Sequence, residues 1–202
     1  MVVEIINLAA VALIALISLA LSLVTDWRLS IGLLAAQFIG ISILIGGVWP
    51  FLLSITVVIA GWMACAVLGM AMLSRIAAPL PPKNEVETSL STNVIFNLLA
   101  AALILLIVVS FGGQVNQWIP ALDNRQSAVA FFLISLGLFR LSTNSRSLPT
   151  SIALLTVLSG FEILFARLSS SFLSAGLLAG VTLFLLLVGF YLIFAPSMED
   201  AG

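Results

Sequence analysis

The chain has no histidine, one cysteine, seven basic and eight acidic side chains in 202 residues. Without imidazole, haem ligation through histidine and most transition-metal chemistry are out of reach. The lone Cys65 lies in an apolar run, which excludes an internal disulfide and any cysteine-ligated zinc or iron–sulfur site. A net charge of −1 leaves no basic surface for nucleic acid. No histidine can serve a serine or cysteine nucleophile, no glycine loop is shaped for phosphate, and no helix carries a pair of acids. Charged residues make up 7% of the chain, against roughly 25% in a soluble domain.

What is present is hydrocarbon: 62% of the residues are hydrophobic. At about 20 residues per membrane-spanning helix, seven helices and short loops use nearly the whole chain. The fold class expected is therefore all-α, a polytopic membrane protein with seven transmembrane helices. Glu4 stands where a cleavable signal would carry positive charge, and the apolar run behind it is long enough to remain in the membrane.

The runs predict helix 1 over Ile5 to Val24, an interfacial turn at Asp26, Trp27 and Arg28, and helix 2 over Leu29 to Val48. Gly46, Gly47, Trp49 and Pro50 turn the chain into helix 3, which is expected to end near Leu73, before Arg75. A polar connection over Ala77 to Thr92 carries three prolines, which cannot continue a helix. Helix 4 is expected over Val94 to Phe111, followed by a loop from Gly112 to Gln126 that contains Trp118 and Pro120. Helix 5 follows over Ser127 to Leu141, and helix 6 opens at Pro149, a position that suits a helix start. Helix 7 runs from Phe172 to Phe194, where Pro196 is expected to stop it.

With seven spans, the turns after helices 1, 3 and 5 share one side of the membrane. That side holds Arg28, Arg75, Lys83, Arg140 and Arg146; the other holds Arg125 and Arg167. The positive-inside rule then puts the N-terminus outside and the C-terminus in the cytoplasm of a cell inner membrane. A shift of 120 residues aligns Leu34 with Leu154, Gly40 with Gly160, Ile43–Leu44 with Ile163–Leu164, Leu53–Ser54 with Leu173–Ser174, and Gly69 with Gly189. Helices 1–3 thus map onto helices 5–7 in the same membrane sense, as parallel repeats do in some transporter folds. The units divide as 1–76, a connector over 77–126, and 127–202.

Small residues recur at four-residue spacing, at Gly32, Ala36 and Gly40, at Gly61, Cys65 and Gly69, and at Gly176 and Gly180. Such stripes let membrane helices approach closely, and packing is their first reading. The acid deepest in an apolar run is Glu162, in helix 6. A carboxyl there costs several kcal/mol unless it has a role or a partner. It reads either as a proton-relay or ion-path group, or as a hydrogen-bonded carboxyl at a subunit contact. Arg140 is expected at the wrong depth to pair with it, and Arg167 on another face, free to snorkel outward. Gln37, deep in helix 2, cannot titrate, but it can bond between helices or line a wet cavity. Asn7, Asn93 and Asn97 read as interfacial, and Trp27, Trp49 and Trp118 as an aromatic belt. Trp62 reads as deeper and packed on a neighbour. Serines and threonines of helices 6 and 7 are expected to bond their own backbone.

The stretch from Trp27 to Arg75 resembles the helix 2–helix 3 hairpin of the K-type (4L) subunit of respiratory complex I. The likeness is a basic residue opening helix 2, a glycine-punctuated apolar run, a short turn and a helix 3 rich in small residues. The chain as a whole resembles the E-type membrane subunit of hydrogenase-4 and formate hydrogenlyase complexes, chiefly over residues 154 to 193. The departures are specific. Gln37 stands about where K-type subunits carry a buried glutamate, no acid occupies Trp62 to Ala66, and Leu158, Ser159 and Gly160 replace an acid before Asn-Gly. The resemblance implies a non-catalytic membrane subunit of a hetero-oligomeric redox complex, partnered by other membrane subunits. It implies no redox cofactor of its own, with lipid as ligand and Glu162 as the substitute acid. The rivals are a stand-alone secondary transporter and a structural subunit of another bioenergetic complex.

Overall fold

Among the described residues the apolar runs fold as seven helices. The computed structural model describes the backbone of residues 2–24, 26–77, 90–118, 124–143, 146–169 and 171–199, and side chains over a somewhat narrower set. The helices are α1 (Val2–Leu23), α2 (Trp27–Gly46), α3 (Phe51–Ala77), α4 (Leu90–Trp118), α5 (Asn124–Thr143), α6 (Ser147–Leu168) and α7 (Phe172–Glu199). Among the described residues there is no strand, and no residue has a positive φ. Five of the helices, α2, α3, α5, α6 and α7, are long and apolar enough to cross a membrane. The described apolar stretches of α1 and α4, Asn7–Leu23 and Ile95–Ser110, are shorter.

Several boundaries differ from those expected. α3 continues through Arg75 to Ala77, and α7 continues past Pro196 to Glu199. Pro196 lies in the last turn of α7, and the helix ends three residues beyond it. The segment 112–118, expected as loop, is the C-terminal part of α4; two glycines cost a helix about 1 kcal/mol each relative to alanine, too little to end one. α6 begins two residues before Pro149, with Arg146 extended as its cap residue (φ −81°, ψ 141°). Proline therefore still falls in the first turn, whose amides have no helical partner. The polar connection over 78–89, with Lys83, lies outside the described residues, as do Pro120 and the side chains of Arg75, Asn93 and Trp118.

Two three-helix layers lie face to face. In one, α2 packs on α1 and α3; in the other, α6 packs on α5 and α7. Across the layers α1 meets α5, α2 meets α6 and α3 meets α7, while α4 covers α1 and α5 from the side. The core between them includes Leu34, Phe38, Ile41, Leu68, Leu133, Ile152 and Leu155, all buried. A smaller cluster joins Ala101 and Val108 of α4 to Phe132 and Leu136 of α5.

Details of one layer recur in the other 120 residues on. α1 ends at Leu23 and α5 at Thr143; α2 starts at Trp27 and α6 at Ser147. The bond from Ser30 N to Asp26 O (2.9 Å) is matched by Thr150 N to Arg146 O (3.1 Å). That from Trp49 N to Ile45 O (2.8 Å) is matched by Ser169 N to Phe165 O (3.0 Å). A Cβ added at Gly40 would lie 2.8 Å from Ile14 Cγ1, and one added at Gly160 would lie 2.8 Å from Ile134 Cγ1. Gly69 faces Ile31 and Gly189 faces Ser151, again the same pair in the two layers.

The tryptophans depart from the expected belt. Trp27 is partly buried against the core, with the Arg28 guanidinium 5.2 Å from its ring centre. Trp49 is buried, and its indole Nε1–H donates to Ala166 O (2.9 Å) and Ser169 O (3.0 Å) at the end of α6. Trp62, expected to be packed, is 51% exposed on the outer side of α3, with its N–H reaching Ala35 O at 3.3 Å. In vesicles containing brominated phospholipid, a single-tryptophan variant retaining Trp62 is expected to lose most of its fluorescence. One retaining only Trp49 is expected to keep it; equal quenching of both would contradict this packing.

Candidate functional site

α6 is the helix most enclosed by the rest of the chain: it packs on α5, α7 and α2 at once. Its buried positions include Ser151, Thr156, Ser159 and Glu162 among apolar neighbours. In hydrocarbon every polar group must find its partner inside the protein. Ser151 Oγ donates to Ser147 O (2.9 Å) and Thr156 Oγ1 to Ile152 O (2.8 Å), the back-bond to the preceding turn that small hydroxyls make in helices.

Glu162 lies fifteen residues into α6, about 22 Å along its axis at 1.5 Å per residue. It is 2% exposed. Its Oε1 is 3.1 Å from Thr182 Oγ1 on α7, and Thr182 Oγ1 is 3.0 Å from Leu178 O of its own helix. Glu162 Oε2 has no partner, and neither does Ser159 Oγ, one turn earlier on the same side of α6. The bond joins α6 to α7, which pack on each other. The sequence holds no signal for this pairing, because Glu162 lies six residues before the end of α6 and Thr182 ten residues past the start of α7.

No ion pair neutralises Glu162 among the described residues. Gly137 of α5 faces Ala153 and Val157 of α6, which puts Arg140, three residues on, nearer the start of α6. Arg140 is buried there, about ten residues or ~15 Å from the level of Glu162. Arg167 does not snorkel freely: its Nε–H donates to Gln126 Oε1 on α5, away from α7. Gln37 is fully buried on α2, and neither its Oε1 nor its Nε2 has a partner. It sits on the helix that packs on α6, but no hydrogen bond joins it to Glu162 or Ser159.

The small residues divide. Gly61 lies against the ring of Phe38, so close that an added Cβ would fall 2.2 Å from its Cγ, and Gly40 lies against Ile14. Cys65 is a buried free thiol, Ala36 is partly buried, and Gly69 has only Ile31 within 4 Å. At Gly32, Gly176 and Gly180 an added Cβ would meet nothing within 4 Å. These three meet no neighbour among the described residues and are exposed on outer faces. Outside the four-residue stripes, close approaches also occur at Gly137, Gly160 and Gly189, the last two already matched to Gly40 and Gly69 by the 120-residue shift. Among the described residues, no three of His, Cys, Asp and Glu gather where a metal could bind.

Replacing Thr182 with valine keeps its shape and strips Glu162 of its one hydrogen bond. An unpartnered buried polar group costs about 1–3 kcal/mol, so T182V is expected to lower the unfolding free energy in detergent by that much. T182S is expected to restore most of it; if T182V matches the parent, the bond carries no stability.

No protein family, curated protein or solved structure matches the chain.

Proposed function

We propose that this membrane protein is a non-catalytic subunit of a hetero-oligomeric complex of the complex I or membrane-hydrogenase kind. It scaffolds its neighbours and contributes one carboxyl, Glu162, to a proton or ion path. All seven helices cross the membrane in this reading, with the N-terminus outside and the C-terminus cytoplasmic, and lipid is the ligand of the outer faces. The observation that carries it is the poverty of the interior beside the surface left over. Among the described residues one acid is buried, tied to one hydroxyl, which is too little for a relay within them. Outer faces of α3, α4 and α7 present Met63, Met70, Leu99, Leu106, Leu173 and Phe184, each more than half exposed, with Gly176 and Gly180 alongside. Small residues on a lipid-side face suit a close helix neighbour.

The test is purification of the tagged chain in mild detergent. Other membrane subunits are expected to copurify, and E162Q is expected to slow proton translocation by the assembled complex without loss of assembly. An unchanged rate with normal assembly would remove the ion-path role and leave the scaffold.

A second reading, a stand-alone secondary transporter, is favoured by one observation: the helix ends and glycine contacts that recur 120 residues apart, since parallel repeats build some transporters. Purification as a stable monomer, stabilised by a solute, would replace the first reading with this one.

A further inference from the structure

α5 starts and α6 ends at the same end of the bundle, and side chains tie the two there. Gln126 is the second residue of the apolar span Arg125–Thr143, and Arg167 the last but one of the span Ser147–Leu168. Both stand where a spanning helix meets the lipid headgroups. Arg167 Nε–H donates to Gln126 Oε1. Arginine has no acceptor, so it is the amide oxygen that faces it, and the amide nitrogen is left to find another partner. Gln126 is 3% exposed, and that nitrogen, Nε2, is buried without one. Nε2 shares a carbon with Oε1, so the unused donor lies close to the guanidinium. Arg167 itself is half-buried, and among the described residues nothing accepts from its other N–H groups.

What these donors lack is an acceptor. The carbonyls at the end of α6 are already used: Ala166 O and Ser169 O accept from Trp49 Nε1–H, and Phe165 O from Ser169 N. The start of α7 is closed on itself, with Ser171 Oγ accepting from Ser174 N (3.2 Å). α5 has no acid in its first turn, whose amides carry partial positive charge, and the exposed Arg125 adds a full one. Glu162 lies five residues before Arg167 and meets Thr182 of α7, while Asp26 opens α2 at the opposite end of the bundle. Glu4 and Asp123 are the acids of this end by sequence, and their side chains lie outside those described. A guanidinium, a helix start and a buried amide N–H brought together suit an oxyanion. At headgroup depth the oxyanion at hand is the phosphodiester of a lipid, and basic sites between spanning helices take anionic headgroups in this way.

We infer that Arg167, Gln126 and Arg125 form a binding site for the phosphate of an anionic phospholipid. Gln126 holds the guanidinium through its oxygen, and the phosphate accepts from Arg167 and from Gln126 Nε2–H. Nε2 is closed to solvent, so a phosphate oxygen reaches it as the end of Arg167, a long and half-buried side chain, moves aside. The site rests on lipid as the ligand of the outer faces, but neither on the partners of the chain nor on Glu162. It is therefore tested on the purified full-length chain in detergent, where its failure leaves the subunit reading standing.

The chain is titrated with phosphatidylglycerol, phosphatidylcholine or inorganic phosphate and unfolded by heat. Phosphatidylglycerol at about a hundred times its half-saturating concentration is expected to raise the midpoint by about 5 °C, and the other two are not. Q126E separates a lipid site from a structural tie. It keeps an acceptor for Arg167 and strengthens that bond, but puts a repelling oxygen where the Nε2–H donor stood. Without lipid it is expected to be at least as stable as the parent, and its half-saturating phosphatidylglycerol concentration is expected to rise about tenfold or more. R167Q is expected to show the same rise. Native mass spectrometry gives a second readout: Q126E is expected to retain one phosphatidylglycerol fewer per chain. An unchanged lipid response in Q126E overturns the site and leaves a structural tie. Equal stabilisation by phosphatidylglycerol and phosphatidylcholine overturns it as well, yet leaves lipid on the outer faces. A response to inorganic phosphate as large as that to phosphatidylglycerol overturns the lipid as ligand. No response of the parent to any of the three also overturns the site, the result expected if Glu4 or Asp123 occupies the guanidinium.

Discussion

Replacing Trp49 with alanine is expected to lower the unfolding free energy by about 3–5 kcal/mol, the cost of emptying a buried large side chain. Trp49 is 3% exposed and stands in the turn between α2 and α3, in the core that both layers share. Its indole N–H reaches Ala166 O and Ser169 O on the opposite layer. The last four carbonyls of a helix have no partner of their own, and Ala166 O is one of these in α6. The ring thus fills space and also satisfies a helix end that lipid could not. W49F separates the effects. It keeps most of the ring and loses the donor, so about 1–3 kcal/mol is expected from it alone. Both variants are measured by reversible unfolding in mixed micelles, followed by far-ultraviolet circular dichroism. A W49A loss below about 1 kcal/mol would mean that the two layers are held together elsewhere.

Gly160→Ala is the second large effect, expected at about 2–3 kcal/mol in the same assay, near the upper end for overpacking. An added Cβ would lie 2.6 Å from Ala130 O and 3.1 Å from Ile134 N. Both are backbone atoms of α5, so no rotamer change relieves them and the two helices must part. Gly40→Ala should cost less, because its nearest obstruction is the side chain of Ile14. Gly180→Ala, with nothing within 4 Å, should cost nothing in the isolated chain, and can gain from the better helix propensity of alanine. If G160A and G180A behave alike, close approach of α5 and α6 is not what stabilises the bundle. A G180A variant that is stable alone but fails to hold its copurifying subunits would place a partner helix on α7.

The helices were legible because their signal is local. An apolar run of some twenty residues forms a helix in lipid regardless of what it packs against, since its backbone must bond to itself. The depth of Glu162 and Gln37 was legible for the same reason. Apart from the helix ends, the misread features depended on neighbours. Trp49 and Trp62 have the same side chain and similar apolar surroundings in sequence, yet one is sealed in the core and the other faces outward. Four-residue spacing identified glycines in α2, α3 and α7 but could not say which face the partner helix takes. Gly40 and Gly61 meet one, whereas Gly32, Gly176 and Gly180 do not.

The site divides in the same way. Composition alone barred histidine and cysteine chemistry, and one acid in an apolar run marked Glu162. That Thr182 meets it, that Ser159 stands unpartnered one turn away, and that Arg167 reaches Gln126 instead follow from the angle at which each helix is rotated about its axis. By itself the sequence determined that the chain forms apolar helices and sets Glu162 deep in one of them, because burial in lipid and backbone self-bonding act within each segment. Only the tertiary structure decided which side chains face one another, because in hydrocarbon all faces of such a helix are nearly equally apolar, and close packing rather than hydrophobic sorting selects the contact.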